Sequence, residues 1–478
     1  MQRNVIDGHW WRPSTDASDK VPGVLSIEPS GRIELSLIGT FCGQQPQTGS
    51  SALPAITERE EIPLVLGTTP LGDHFTLVDG WIRSAEERML GAGGQRVVVG
   101  AARVIEDIHL DPANTAVFTA ARVRIENLDV WSGFAKFIRL PREESSDPAV
   151  RVETHQPVEF DHGPFRFRIR QLHGEFNFQL TRQNANVVCP VQVVLEIEAS
   201  EPTTCDAFDD AVSSWLDLVS FATRQSCAVT SFQLILDKPK ALRRPVQVTR
   251  EDGTSEMVIE EQEFEHAVAV RAHWNQTPQE PPSSLDLGDF AVLVEDRPLS
   301  EWYAAWMALR QDAHNALNIL LSLTYGRNAF LQSDLLIVAL GAETLHRDLY
   351  PDCLATYPKD FEAMMTKALE KLDEDETQWA QRAIRNEPSY QERLRDLATH
   401  PAPEALLLAV PDFAGWARSL AAARNGLAHG LRRDELKVQR MYNLTQQTRL
   451  FLELVVMAKI GVSATRQEHY ALVNRVIN

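Results

Sequence analysis

The chain divides into two halves that differ in the spacing of their hydrophobic positions. In the first 200 residues, short runs of β-branched and aromatic residues alternate with turn signals such as Pro-Ser-Gly at 29–31. Phe165, Phe167 and Ile169 alternate with arginines, which is typical of a half-buried antiparallel strand. The pattern predicts strands at 24–27, 33–38, 75–78, 97–99, 121–125, 165–169, 191–197 and 231–236. Short strands separated by regular turns favour a sandwich or a partly closed barrel.

Helical spacing interrupts this pattern once, at 207–223, and takes over after a proline-rich segment at 275–284. We interpret the acidic run 259–266 as a solvated face rather than a strand edge. The proline-rich segment has linker composition and separates two predicted domains. We therefore predict an α+β protein with a β-rich domain of sandwich or barrel type at 1–285 and an all-α helical bundle at 286–478.

The second half predicts an antiparallel bundle of helices joined by short loops. Trp302, Trp306 and Leu309 share one face of a long amphipathic stretch at 299–325. Further helices are predicted at 330–349, 358–372, 376–397 with a break at Pro388, 413–429, 441–461 and 468–476. Gly430 follows the helix at 413–429 in the position of a left-handed cap.

Composition narrows the class of protein. Hydrophobic residues make up 44% of the 478 positions and charged residues 24%, which is typical of a soluble globular chain. The longest apolar runs are shorter than a membrane-spanning helix, and the first residues lack the pattern of a signal peptide. Five scattered cysteines without a C-x-x-C pair support neither a disulfide framework nor a cysteine zinc site. We expect a reduced, cytoplasmic protein without a membrane partner.

The charge is distributed unevenly along the chain. The net charge of -19 argues against broad, non-specific binding of nucleic acid, which requires a basic surface. Residues 421–478, however, contain nine basic and four acidic side chains. A local basic region on an acidic protein suits a partner that is bound at one site.

The segment 421–430, AAARNGLAHG, carries the residues best suited to chemistry. On a helix, Asn425 and His429 share one face, and the long side chain of Arg424 can reach the same pocket. Gly426 costs up to about 1 kcal/mol relative to alanine inside a helix, so either packing or close approach of a ligand has to account for it. Histidine exchanges a proton near neutral pH, and the arginine fork suits a phosphate group. Asparagine can orient the imidazole or donate a hydrogen bond to the phosphate.

Two parts of the chain resemble known families. Arg424-Asn425-x-x-x-His429 on a late helix resembles the R-x4–6-H motif of HEPN domains, many of which are metal-independent ribonucleases. The β-rich half resembles the amino-terminal domain of ApeA-type proteins at 7–13 (DGHWWRP), 23–27 (GVLSI), 31–35 (GRIEL), 66–72 (LGTTPLG) and 124–131 (RIENLDVW). Those bacterial proteins pair such a domain with a carboxy-terminal HEPN domain and are associated with abortive defence against phage.

The resemblance implies an endoribonuclease with Arg424, Asn425 and His429 as catalytic residues. Cleavage would proceed by attack of the ribose 2′-OH and leave a 2′,3′-cyclic phosphate and a 5′-OH, with no metal ion and no cofactor. Such motifs usually meet across a dimer, so we expect a homodimer or a higher even homo-oligomer formed through the HEPN domain. The β-rich domain would sense a phage-derived trigger or restrain the nuclease.

Three alternatives remain open at the level of the sequence. Glu343 is either a polar partner of the motif, as HEPN bundles often have, or a surface glutamate paired with Arg347. His429 lies near a helix carboxy-terminus, where the dipole favours its protonated form, so it acts either as a base or as a stabiliser of phosphate. The function itself is either cleavage of RNA, with tRNA as the candidate substrate, or that of a non-catalytic HEPN scaffold or nucleotide-binding module.

Overall fold

The computed structural model of the chain describes residues 4–13, 20–28, 31–41, 61–86, 96–134, 137–139, 150–173, 177–180, 185–188, 191–249, 255–272, 287–326, 330–428 and 438–476. Contacts divide the chain into two compact units. The first comprises Met1–Leu216 and Cys227–Pro282, and the second comprises Asp217–Ser226 and Ser283–Asn478. The domain limits 1–285 and 286–478 stay a prediction, because contacts do not test which segment folds alone.

A closed barrel of six antiparallel strands forms part of the first unit. Its strands are β1 (Asn4–Trp11), β2 (Val21–Ile27), β3 (Ile33–Ile38), β4 (Glu61–Thr68), β5 (His74–Glu86) and β6 (Arg96–Glu106). They are ordered β6-β3-β2-β1-β4-β5, and the pairing of β5 with β6 closes the ring. Alternate residues face the interior, as Ile33, Leu35 and Leu37 do in β3. The predicted β-rich domain of sandwich or barrel type is thus a barrel in this region.

A further set of antiparallel strands continues from β6 in the order β18-β15-β7-β14-β11-β10. These are β7 (Phe118–Ile125), β10 (Val158–His162), β11 (Phe165–His173), β14 (Val191–Thr203), β15 (Val229–Leu236) and β18 (Ala267–Ala272). This unit also contains α1 (Leu128–Trp131) and the residues of α2 (Cys205–Thr223) up to Leu216, and Trp215 of α2 packs on Phe160 and Phe167. Two-stranded pairs are formed by β8 (Phe137–Arg139) with β9 (Val150–Val152), β12 (Asn177–Leu180) with β13 (Ala185–Val188), and β16 (Lys240–Thr249) with β17 (Ser255–Phe264).

Trp10 anchors the core of the barrel. Its ring is fully buried, and its indole N–H donates a hydrogen bond to the carbonyl oxygen of Gly23 at 3.2 Å. Gly67 of β4 lies directly opposite Trp10 of β1, and a Cβ atom at Gly67 would overlap the indole ring. The segments 7–13 and 66–72, which carry part of the family resemblance, are therefore neighbours that accommodate one large side chain.

The second unit is helical beyond residue 298. Its helices are α3 (Leu299–Asp312), α4 (His314–Tyr325), α5 (Leu331–Leu349), α6 (Pro358–Leu369), α7 (Glu374–Ala383), α8 (Tyr390–Leu397), α9 (Pro403–Ala409), α10 (Phe413–Ala428), α11 (Val438–Lys459) and α12 (Ala464–Asn474). The predicted α+β class, with a β-rich part followed by a helical part, is confirmed.

One local prediction is wrong. The stretch 299–325 is two helices, because the chain leaves helical geometry at Ala313, where φ is -137° and ψ is 41°. The acidic run 259–266 combines the two alternatives: its side chains from Glu261 to Glu265 are exposed as expected of a solvated face, but β17 extends to Phe264, so most of the run is also strand.

Helix α11 forms the centre of the helical unit. Its side chains from Leu450 to Met457 are all buried, including Glu453. Glu453 accepts hydrogen bonds from Arg449 at 2.8 Å and from the Tyr470 hydroxyl at 2.8 Å. Burial raises the pKa of Glu453, but the positive charges of Arg224 and Arg449 outweigh it and leave that pKa below its usual value. A buried carboxylate with these partners fixes α11 against α12.

Candidate active site

Helix α10 carries two of the predicted site residues in its last two turns. Asp412 begins the helix, because its carboxylate accepts the backbone N–H of Gly415 at 2.9 Å in the manner of an N-terminal cap. Trp416 and Leu420 are buried on the face that packs into the bundle. Arg424 continues that row by another four residues and is half-buried, whereas Asn425, rotated by about 100°, is exposed.

Helix α5 carries the third predicted residue, Glu343. The helix is held by a buried apolar stripe that includes Leu335, Val338, Ala339 and Ala342. Glu343 lies next to this stripe, and its side chain is only 15% exposed. A carboxylate so largely removed from water needs hydrogen-bond donors close by.

Arg424 supplies one of those donors. Its Nη2 donates to Oε2 of Glu343 at 2.6 Å, which is the short distance expected of a charge-assisted hydrogen bond. Its Nη1 donates to Oδ1 of the adjacent Asn425 at 3.1 Å. The structure therefore brings Glu343, Arg424 and Asn425 together, although Glu343 and Arg424 are 81 residues apart in the sequence.

Tyr390, the first residue of α8, supports this pair. The guanidinium carbon of Arg424 lies 5.7 Å from the centre of the Tyr390 ring, within range of a cation–π interaction. The Tyr390 hydroxyl donates to the carbonyl oxygen of Ala339 at 2.9 Å. Burial, and then the negative charge of Glu343, raise the pKa of Tyr390 well above its usual value, so its hydroxyl stays protonated.

Ion pairs continue from Glu343 along α5 and α8. Arg347 donates to Glu343 at 3.2 Å and to Glu387 at 3.0 Å. Arg393, which is buried, also donates to Glu387 at 3.0 Å. Glu343 is therefore shared by two arginines, and the expected pairing with Arg347 exists beside the pairing with Arg424.

The far end of this series is the buried His346. Arg393 donates to its Nδ1 at 3.1 Å, and its Nε2 lies 2.9 Å from Oδ2 of Asp396. Since an arginine can only donate, Nδ1 must carry a lone pair, which places the ring proton of the neutral tautomer on Nε2. His346 therefore donates to Asp396 and joins α5 to α8.

Among the described residues, one group has the spacing of a metal site: His346, Cys353 and Asp396, whose ligand atoms lie within 4.8 Å of one another. The chemistry of this group does not fit a cation. Nε2 of His346 carries a proton and has no lone pair to offer a metal ion. The other ring nitrogen, Nδ1, already accepts a hydrogen bond from the positively charged Arg393.

His429, the fourth predicted site residue, lies outside the described residues, as does Gly430. Helix α10 is described as far as Ala428, the residue before it. Gly426 lies within the described helix, and apart from the surrounding backbone of α10 itself no described atom lies within 4 Å of the position that a Cβ atom would take there. Packing against the described part of the chain therefore does not require glycine at this position.

Models of known protein families match both parts of the chain. A family model described as ApeA N-terminal domain 1 matches residues 5–252, more than half of the chain. The chain belongs to the ApeA family. A second model, described as Apea-like HEPN, matches residues 336–466. The expected ApeA architecture, a β-rich domain followed by a HEPN domain, is thus confirmed, and no curated protein or solved structure matches the chain.

The ApeA architecture supports membership in a family of anti-phage effectors, and its HEPN domain indicates a relation to nucleases. All four predicted site residues lie within the matched HEPN segment. Among the described residues, no helix has both the length and the apolar composition needed to cross a membrane.

Sequence reasoning did not find Tyr390, Glu387 or Arg393 as neighbours of the site. All three lie on α8 or just before it, and nothing in their local pattern indicates that α8 packs beside α5. The available signal was Ser389 followed by Glu392, the capping box that begins α8. That signal locates the start of the helix but not its neighbours.

Proposed function

We propose that this ApeA protein is an anti-phage effector whose HEPN domain is a metal-independent endoribonuclease. The observation that carries the proposal is the 2.6 Å hydrogen bond that holds Arg424 against Glu343, beside Asn425 and five residues before His429. A guanidinium held in one position and a histidine five residues later support the proposal. Cleavage of RNA by its own 2′-OH requires both positive charge on the phosphorane and a group that moves protons.

Arg424 can bind a phosphate while it stays paired. One of its five N–H groups donates to Glu343 and one to Asn425, so three remain for phosphate oxygens. The side chain is 33% exposed, which gives a substrate access to it. Because Arg347 shares Glu343 with Arg424, these three side chains together retain one positive charge.

The proposed reaction needs one proton acceptor and one proton donor. A base removes the proton of the 2′-OH, whose oxygen attacks the adjacent phosphorus, and an acid protonates the departing 5′-oxygen. The products are a 2′,3′-cyclic phosphate and a 5′-OH. Two copies of His429, one from each subunit of a homodimer, would supply the two roles, while Arg424 stabilises the charge of the phosphorane.

The remaining parts of the proposal concern partners. Residues 421–478 carry an excess of positive charge, which supports a compact RNA such as tRNA as substrate. The β-rich domain would sense a phage-derived trigger or restrain the nuclease. Crosslinks between bound RNA and protein residues outside 421–478 would argue against this assignment of the substrate site.

Purified full-length protein incubated with bacterial RNA in EDTA tests the nuclease. We expect new 5′-OH and cyclic-phosphate ends from the wild type and a loss of about 100-fold or more in rate from Arg424→Ala, as for removal of a transition-state donor. Arg418→Ala is the matched control, since Arg418 is an exposed arginine on the same helix. Cleavage that survives Arg424→Ala would contradict the assignment.

One observation favours a second function, that of a non-catalytic HEPN module. The Arg424–Glu343 ion pair joins α10 to α5 and would stabilise the bundle without any chemistry. In that case Arg424→Ala would lower the melting temperature, and no RNA ends would appear under any condition. Arg347 would still pair with Glu343 in that variant, so the nuclease proposal expects a shift of a few degrees in melting temperature together with the loss of cleavage.

A further inference from the structure

A cleft of about 480 Å³ lies between α10 and α11 in the helical unit. Its volume falls in the range of sites that bind small organic molecules, roughly 300–1,000 Å³. The chemically distinctive side chains that line it are Gln439, Asn443, Gln447, Arg440, Asp412 and Trp416. The cleft is separate from the Arg424–Glu343 pair but shares α10 with it.

Three amide side chains form a row along one wall of the cleft. Gln439, Asn443 and Gln447 are spaced four residues apart on α11 and therefore share a face. Gln439 donates to Oδ1 of Asn443 at 2.8 Å. The amide of Gln447 is half-buried and makes no hydrogen bond within the described part of the chain. Amides offer a donor beside an acceptor, which is the pattern displayed by the edges of nucleobases.

The charged side chains of the cleft suit the two ends of a nucleotide. Arg440 is exposed, and its Nη2 donates to Oγ of Ser419 at 3.3 Å, which leaves other N–H groups for a phosphate. Asp412 lies seven residues before Ser419, about 10 Å along the α10 axis. A carboxylate can accept a hydrogen bond from the exocyclic amino group of a base.

The same face of α10 leads from the cleft to the motif. Gly426 lies seven residues after Ser419, so the two positions are on one side of the helix. Apart from the surrounding backbone of α10 itself, no described atom lies within 4 Å of the Cβ position of Gly426. Because this glycine has no side chain, an RNA strand could lie close to the surface of α10 between the cleft and the end of the helix.

We propose that the α10–α11 cleft binds an unpaired nucleotide of the RNA substrate, next to the segment presented to the Arg424 motif. The inference rests on the proposed ribonuclease function for the identity of its ligand. The nucleotide is unpaired because the edges of paired bases in an RNA helix lie in a deep, narrow major groove that side chains do not enter, whereas an unpaired base exposes its edges to the amide row. A protein segment in the same cleft is the competing occupant.

Binding of a non-cleavable RNA tests the cleft independently of cleavage. The probe is a fluorescein-labelled single-stranded RNA decamer of mixed sequence with 2′-O-methyl groups throughout, which removes the attacking hydroxyl. Its Kd for the full-length protein is measured by fluorescence anisotropy at one fixed salt concentration. The variants are Gln447→Leu and Asn443→Ala. Gln446→Ala is the matched control, because Gln446 is the adjacent half-buried glutamine and does not line the cleft.

We expect each cleft variant to raise Kd about tenfold, the loss of roughly one hydrogen bond to a base, and Gln446→Ala to change it less than twofold. Melting curves identify any variant that fails to fold, and the other variant then decides. Equal Kd values for all proteins, or no binding by the wild type, would overturn the proposal. The proposal would also be overturned if the cleft variants changed the sedimentation of the protein, and hence its oligomeric state, without changing Kd, because the cleft would then be a protein interface.

The same proteins separate this inference from the nuclease proposal. Binding that depends on Gln447 without cleavage of unmodified RNA would retain the cleft and reject the nuclease. Cleavage with unchanged KM in Gln447→Leu would retain the nuclease and reject the cleft.

Discussion

Glu343 determines how Arg424 is presented, because it contacts the guanidinium directly and is itself shared with Arg347. Glu343→Gln keeps the size of the side chain but removes the charge that holds the two arginines. We expect kcat for RNA cleavage to fall about tenfold, the weight of one charge-assisted hydrogen bond, with KM changed little. Glu404→Gln, at an exposed position of α9, is the control. Unchanged cleavage would make Glu343 an ordinary structural glutamate.

Two glycines should respond to the same substitution with opposite signs. A Cβ atom at Gly67 overlaps the buried ring of Trp10, whereas at Gly426 it meets no described atom within 4 Å. We expect Gly67→Ala to lower the free energy of unfolding by about 1–3 kcal/mol, and Gly426→Ala to raise it by up to about 1 kcal/mol. Urea titrations of both variants measure these changes. A destabilising Gly426→Ala would show that packing does require this glycine.

At the level of elements, α5, α8 and α10 are joined by charged side chains rather than by apolar contact alone. Arg393 is the most buried member, and it donates to both Glu387 and His346. Arg393→Met leaves the Nδ1 atom of His346 without a donor, so we expect a loss of about 2–3 kcal/mol in the free energy of unfolding. Arg395→Met on the exposed side of α8 is the matched control and should change it by less than about 0.5 kcal/mol. Equal effects would contradict the bridging role.

The contact between α2 and β6 predicts a dependence on pH. Burial raises the pKa of Asp209 to about 7. The positive charge of Arg103 lowers this pKa and the negative charge of Asp206 raises it, but both effects are smaller than that of burial. The folded state therefore holds the proton more tightly than the unfolded state, whose aspartate pKa is 3.8. This contribution to stability is present below about pH 4 and is lost as the pH rises towards 7.

Asp209→Asn removes that titration. We expect the variant to gain stability relative to the wild type as the pH is raised from 4 to 8, as measured by urea unfolding at each pH. Asp237→Asn, at an exposed position just after β15, should show no such trend. Parallel pH curves for the wild type and Asp209→Asn would refute the assignment.

The elements differ in how far the sequence predicts them. Strand β3 and helix α10 are predicted within about one residue, because alternation and helical spacing are local signals. The break at Ala313 is not predicted, because the apolar spacing continues through it. Helix α9 is not predicted either, because it is too short to give a periodic signal. Closure of the barrel requires β6 to pair both with β5, its neighbour in the chain, and with the more distant β3, and no local pattern encodes the second pairing.

The candidate site shows the same limit. Asn425 adjoins Arg424 in the sequence, so their proximity is predictable from the motif. Glu343 was indicated only by resemblance to HEPN bundles, and its pairing with Arg424 depends on how α5 packs against α10. Tyr390 could not be identified, because its place under Arg424 follows from the position of α8.

At the scale of the whole molecule, an acidic chain of net charge -19 carries its basic excess in the segment that also contains the HEPN motif. The ApeA architecture joins this segment to a β-rich domain. A basic segment in an otherwise acidic chain favours binding of a partner at one site over general binding of nucleic acid. We propose that the HEPN domain cleaves RNA and that the β-rich domain determines when it does so.

Mapping of RNA ends in a bacterial host tests this claim most directly. Cells express the wild type, His429→Ala or, as a matched control, His469→Ala at an exposed position of α12, with and without phage challenge. Capture of 5′-OH and cyclic-phosphate ends should show cleavage by the wild type and His469→Ala, none by His429→Ala, and an increase after challenge. The account would be contradicted by folded wild-type protein that produces no new ends under either condition.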